Sequence, residues 1–243
     1  MPLSTLSGGG NWNPSRLPGL VAWWNANRNA VVLDGGGDVA FWNDSAGGNA
    51  MDGSGTAAEW LPNGWGTRIG ALGMQVAVTG FSSAAAGLVN PGSGTDVPFS
   101  LFCTIQPTAV AAHVIACWQH SVGSSLSSLE MLDGVDAGKL RYRRTDAVGS
   151  SVNLDGTADI GFAKRRIGLL FAGTTARIYL DRNLEATGAS DVGNLTPDTF
   201  KLGTGPGIDS FTGLFADFVL MNRLVTVADY LAYEEWSRTT LGT

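Results

Sequence analysis

The stretch Phe99-Ser100-Leu101-Phe102-Cys103-Thr104-Ile105-Gln106 decides the fold class. Phe99, Leu101, Cys103 and Ile105 recur at every second position, the period of a strand with one face buried. His113 to Gln119 follows with the same character, and the short connection predicts that the two pair as a hairpin. A turn near Val110 then sets Cys103 opposite Cys117, close enough in principle for a cross-strand bond. A cytosolic origin instead predicts two free thiols.

Working outward, the strand signals continue in both directions. Downstream, Leu129–Leu132 and Gly138–Arg144 read as a hairpin around Asp133-Gly134. Ser151–Leu154, Arg166–Ala172 and Ala176–Leu180 follow, the last entering the turn Asp181-Arg182-Asn183. Thr199–Gly203 and Leu214–Asn222 close the series. Upstream, Leu20–Asn25, Val31–Leu33 and Val39–Asn43 are strands separated by Gly-rich turns. Residues 44–98 read as irregular, with a strand at Gly73–Val78 and a loop over Thr79–Asp96. A loop of that length is uncommon in a compact domain unless it has work to do or covers a sheet edge. Short strands at regular spacing with Gly-rich turns predict an all-β fold, an antiparallel two-sheet jelly-roll sandwich. One helix is expected at about residues 226–239: Thr226 is a good N-cap and Asp229 completes a capping box.

Composition agrees. The 243 residues are 44% hydrophobic and include eight Trp, enough for a large core in one domain. Gly is the outlier at 34 residues, about double the usual ~7% share, which suits tight turns. The formal net charge of −6 argues against general nucleic-acid binding and against anionic membrane surfaces. The basic clusters Lys139, Arg141, Arg143, Arg144 and Lys164, Arg165, Arg166 read as solvated strand and loop charges. Two cysteines make neither a disulfide framework nor a zinc site. The first residues lack the basic and apolar regions of a secretory signal, and no apolar run reaches the ~20 residues of a membrane span. Residues 1–17 read as an extended N-terminal arm and residues 18–243 as the domain. Trp12 stands in that arm among Gly, Ser, Asn and Pro, so it is expected to dock onto a partner subunit or onto the domain itself.

The order of landmarks carries a resemblance. Pro18-Gly19-Leu20-Val21-Ala22-Trp23-Trp24-Asn25-Ala26 is followed by Val39-Ala40-Phe41-Trp42-Asn43-Asp44-Ser45-Ala46-Gly47. Later come Ala176-Arg177-Ile178-Tyr179-Leu180-Asp181, then Lys201-Leu202-Gly203, then Phe211-Thr212-Gly213-Leu214-Phe215-Ala216-Asp217-Phe218-Val219-Leu220 and a terminal helix. Over roughly residues 18–241 this resembles the concanavalin A-like lectin/glucanase superfamily in its laminin-G-like jelly-roll form. The resemblance implies two curved antiparallel sheets with Trp23 and Trp42 in the core. Domains of this type also occur in phage structural proteins, and the Gly-rich composition is similar to theirs.

Candidate sites are few. Glycoside hydrolysis uses two carboxylates roughly 5–10 Å apart. Glu130 and Asp133 are the nearest approach to such a pair, but their spacing sends them to opposite faces of a strand, and a hairpin turn explains Asp133-Gly134 better. His113 and His120 flank one strand without a nucleophile-elbow motif. No catalytic residues are therefore expected, and the chain reads as non-enzymatic. Calcium would need several oxygen ligands, for which Asn43, Asp44, Asp133 and Asp136 are weak candidates. No other cofactor is expected. A sugar-binding surface would draw on Trp118, His120, Tyr142, Arg141 and Arg143, with Trp60 and Trp65 as a lid, unless Trp118 and Tyr142 belong to the core. Alternation places Leu140 and Tyr142 on one face and Arg141 and Arg143 on the other, so only one set faces solvent, and the arginine face is expected to be open. The leading expectation is a structural or binding protein of a phage particle (a decoration, fibre or tail-associated subunit), contacting virion subunits or glycans as a homo-oligomer. Such a protein would be made in the host cytoplasm and end in the virion. The alternatives are a free, extracellular carbohydrate-binding lectin and a polysaccharide hydrolase or lyase.

Overall fold

The computed structural model describes residues 13–26, 30–46, 48–53, 58–66, 69–74, 80–89, 91, 97–109, 111–123, 126–206 and 209–241. Trp12 and the rest of residues 1–12 lie outside them, as do residues 75–78 of the expected strand Gly73–Val78. In chain order the strands begin with β1 (Leu20–Asn25), β2 (Val31–Leu33), β3 (Val39–Asn43), β4 (Ala50–Asp52), β5 (Glu59–Gly66) and β6 (Ile69–Met74). They continue with β7 (Phe81–Ser83), β8 (Phe99–Pro107), β9 (His113–Gln119), β10 (Leu126–Met131), β11 (Lys139–Thr145) and β12 (Ser151–Asp159). The last six are β13 (Arg165–Phe171), β14 (Thr175–Leu180), β15 (Asn183–Ala189), β16 (Thr199–Leu202), β17 (Asp209–Ser210) and β18 (Gly213–Met221). A short helix α1 (Ala86–Val89) follows β7, and α2 (Val227–Thr240) ends the described chain.

The strands form two sheets. Sheet I has the order β15-β14-β13-β8-β18-β6-β5, with β1 also paired to β18. Sheet II has the order β12-β11-β10-β9-β16-β7-β4-β3-β2, with the short β17 parallel to the end of β9. All other pairings are antiparallel. The inner faces bury one aromatic-rich core. Trp24 stacks on Phe200 with centroids 6.2 Å apart, and Trp118 packs 4.7 Å from Phe99 and 4.9 Å from Phe200. The expected all-β sandwich with a C-terminal helix is what the chain adopts.

The expected hairpin between β8 and β9 does not form. β8 lies in sheet I between β13 and β18, and β9 lies in sheet II between β10 and β16. The physical reason is that β8 is buried on both faces. Phe99, Leu101, Cys103 and Ile105 face the inter-sheet core, while Ser100, Phe102 and Thr104 face outward and are buried too. A strand buried on both faces needs neighbours on each side and a cover, so the connection after it turns a corner between sheets. Cys103 and Cys117 consequently sit in different sheets, both as free thiols.

The cover over sheet I is α2. Thr226 and Asp229 make the reciprocal capping box that starts it. Its Tyr230 and Tyr233 pack on Phe102, with ring centroids 5.5 and 5.0 Å away. Gly168 on β13 is required here, because a Cβ at that position would stand 2.6 Å from ring carbons of Tyr230. Trp23 belongs to this outer layer, where it meets Trp236 edge-on at 5.9 Å. The core Trp of β1 is therefore Trp24, in place of the expected Trp23. Leu17 is buried in the same layer, so the end of the N-terminal arm packs onto the domain. The turn after β14 puts Asp181 and Arg182 in the left-handed region at φ 45° and 76°. Arg182 is held there by ion pairs to Glu234 and Glu235 of α2. A strand absent from the sequence reading, β15, follows that turn. Residues 59–66 and 81–83, expected to be irregular, are strands β5 and β7.

Candidate functional site

The outer face of sheet II has no helix over it among the described residues. Antiparallel register lines side chains up across strands about 4.8 Å apart. One transverse row runs Asn153 on β12, Arg143 on β11, Ser128 on β10, Cys117 on β9 and Lys201 on β16. The next row runs Asp155, Arg141, Glu130 and Val114. A third runs Ser151, Thr145, Leu126, Gln119 and Thr199. Inward-facing Leu140, Tyr142, Leu129 and Phe200 interleave with these rows and belong to the core.

The floor is buried and the cations stand over it. Ser128, Cys117 and Glu130 are almost inaccessible, whereas Arg141, Arg143, Gln119 and Lys201 are half-buried. Arg141 grips Asp155 through two bonds of 2.6 and 2.8 Å, which holds the Asp155 carboxyl below its ordinary pKa. Burial pushes Glu130 up, opposed by the Ser128 hydroxyl that donates to it and by the charges of Arg143 and Arg141. Arg143 and Lys201 carry no side-chain hydrogen bond or ion pair among the described residues. Half-buried cations without partners retain donors that an anionic or hydroxyl-rich ligand can take. Cys117 donates to the carbonyl of Thr204 at 3.3 Å, and burial raises its thiol to about 12. It is part of the floor of the site and no nucleophile.

The sequence-derived candidates separate in space. Arg141 and Arg143 share this face. His120 stands at its end, where its Nδ1 accepts from the backbone of Val122 in the β9–β10 turn. Trp118 does not reach the face: it is fully buried between the sheets, donating to the Leu88 carbonyl of α1 at 2.7 Å. A Trp on a central strand reads alike as platform or core from sequence, and here alternation with Cys117 turns it inward. Trp65 is also buried, on sheet I beside Ala71, Ala216 and Leu241, with Lys164 5.1 Å from its ring. Together with Trp60 it belongs to β5, so the expected lid is a strand of the other sheet. Arg144 and Arg166, expected to be solvated, are buried; Arg144 lies 4.4 Å over the Phe171 ring.

The calcium candidates do not converge. Asp44 accepts from the backbone of Trp23 and Ala46, each at 2.8 Å, as a turn residue does. Asn43 ends β3, Asp136 pairs with Lys139 at 2.7 Å, and Asp133 is exposed at the start of a one-turn helix. No cluster of three or more His, Cys, Asp or Glu suited to a metal occurs among the described residues. Sequence reasoning missed Lys201, Ser128 and Asp155. The alternation of Ser128 with Glu130 was available as a signal, but the approach of Lys201 depends on β16 inserting beside β9.

No protein-family profile matches the chain, and no curated protein sequence does. Solved structures do resemble it. Trypanosoma rangeli sialidase is similar with TM-score 0.60 and 17% identity, over 93% of this chain and 34% of that one. This chain thus spans about a third of that sialidase. The CBM40 of a Ruminococcus gnavus IT-sialidase, bound to α2,3 sialyllactose, is similar with TM-score 0.55 and 14% identity, over 68% of this chain and 95% of that one. The same CBM40 bound to α2,6 sialyllactose gives TM-score 0.54 and 13% identity. At these identities the likeness establishes the sandwich fold.

Proposed function

We propose that this domain is a carbohydrate-binding module that seats an acidic glycan on the outer face of sheet II. The observation that carries the reading is the pair of unpartnered cations, Arg143 and Lys201, on one transverse row over a floor of Ser128 and Cys117. Three strand spacings separate them, about 14 Å between backbones, and both side chains are long enough to lean toward a shared ligand. A carboxylate would complete their hydrogen bonding, while Gln119, Thr199 and Asn153 supply groups for hydroxyls. The sialyllactose-bound CBM40 neighbours favour this reading over the virion role. The face is proposed to bind without catalysis: Asp155 is occupied by Arg141, and Glu130 lies buried beneath the arginines.

Titration calorimetry with α2,3- and α2,6-sialyllactose tests the reading directly. Binding is expected, weakened at least tenfold by Arg143→Ala, a loss of about 1.4 kcal/mol. An unmodified protein that binds neither glycan would refute it.

A further inference from the structure

The row that holds the two cations does not stop at Lys201. Register continues it to Ser82 on β7, Asp52 on β4, Phe41 on β3 and Val32 on β2. Phe41 is 41% exposed, although its strand neighbours Trp42 and Val39 are buried in the core. The exposed large hydrophobics among the described residues include two Phe, Phe41 and Phe162. Phe162 sits in the connection between β12 and β13, whereas Phe41 stands on a sheet face. Val32 lies beside it on the edge strand, and Asp52 and Ser82 put polar groups between the ring and Lys201.

We infer that Phe41 is a second glycan subsite: an aromatic platform for a neutral sugar ring, in line with the cationic subsite of Arg143 and Lys201. This rests on the glycan reading of the same face. Three strand spacings, about 14 Å, separate Phe41 from Lys201, and six, about 29 Å, separate it from Arg143. A single sugar anchored by its carboxylate between the cations cannot also cover Phe41. The ligand that uses the whole row is an oligosaccharide lying across the strands, with its acidic residue over β9–β11 and a neutral residue on β3. The chemistry differs along the row accordingly. Charge-assisted hydrogen bonds fix the acidic end, and the flat apolar ring takes the C–H face of a pyranose while Asp52 and Ser82 lie beside its hydroxyls.

The test compares two probes on the full chain: the methyl α-glycoside of N-acetylneuraminic acid, and a sialylated lacto-N-tetraose. The longer probe is expected to bind more tightly. Phe41→Ala should weaken it about tenfold, leave the methyl glycoside unchanged, and lower the melting temperature by no more than a few degrees because the ring is only partly buried. Phe41→Trp should restore tight binding of the longer probe. Equal affinity for the two probes, or a Phe41→Ala protein that binds the longer one normally, would overturn the second subsite and leave the cationic one standing. Failure of the unmodified protein to bind either probe would remove both.

Discussion

The two sheets bear the same kind of polar side chains on their outer faces and treat them oppositely. On sheet I, Arg166, Thr104 and Asp217 form a transverse row on β13, β8 and β18. α2 seals it: Tyr233 donates to Asp217 at 2.6 Å, and the Thr104 hydroxyl joins those of Tyr233 and Ser237 at 2.7 and 2.8 Å. On sheet II, Arg143, Ser128, Cys117 and Lys201 form the corresponding row, and no element closes it among the described residues. The comparison shows what a cover does. Under the helix, Thr104, Tyr233, Ser237 and one oxygen of Asp217 join in a hydrogen-bonded cluster and become part of the core, while Asp217 Oδ2 and Arg166 Nε and Nη2 are buried there without a hydrogen bond among the described residues. Without a cover, the outermost groups keep donors for a ligand.

The largest effect is expected where the cover is removed. Tyr233→Ala deletes a fully buried ring and strands Asp217 and Thr104, so it should cost about 3–5 kcal/mol of stability. Calorimetric unfolding would show the drop, while glycan affinity of the molecules that remain folded stays as it was. A loss of affinity without a loss of stability would show the two faces to be coupled.

Next comes the pH dependence of sheet I. Burial raises the Asp217 pKa to about 7, against hydrogen bonds from Tyr233 and Thr104 and the charge of Arg166. The folded state therefore holds this proton more tightly than the unfolded chain, whose value is near 3.8. The stabilisation is fully present below that value and is lost as pH rises toward about 7. Chemical denaturation at pH 5 and pH 8 should find the protein less stable at pH 8. Asp217→Asn, uncharged at both, should flatten the difference. An unchanged slope in that variant would assign the dependence elsewhere.

Smaller still in stability, and decisive for binding, is the double change Arg143→Ala with Lys201→Ala. Neither side chain has a hydrogen bond or ion pair to lose among the described residues, and Arg143 only moderates the burial of Glu130, so stability should fall by no more than about 1 kcal/mol, while acidic-glycan binding falls beyond detection. The smallest difference concerns the thiols. Cys103 under sheet I and Cys117 in the floor of the sheet II face are both raised by burial. Both should resist iodoacetamide at pH 8 in the native protein and react fully in denaturant. Fast labelling of Cys117 alone would mean that the floor opens.

Part of this was legible in the chain itself. Period-two alternation fixed that Arg141 and Arg143 share a face opposite Leu140 and Tyr142, because a strand's side chains have no other choice. Thr226 and Asp229 fixed the start of α2, because capping is a contact between residues three apart. Phe99 to Gln106 announced a strand for the same local reason. What sequence could not supply was any relation between strands. Pairing and sheet membership are set by burial of whole faces, so a strand apolar on both faces, β8, was open to a hairpin with β9 that the sandwich does not make. The same limit hid the site. Arg143 and Lys201 are distant in sequence and share a row only because β16 inserts beside β9. Trp118, the aromatic that sequence favoured, faces the core, and Phe41 lies exposed in line with the cations. Local chemistry fixed which way each strand faced; only the packing of two sheets and one helix decided which of those faces would remain uncovered.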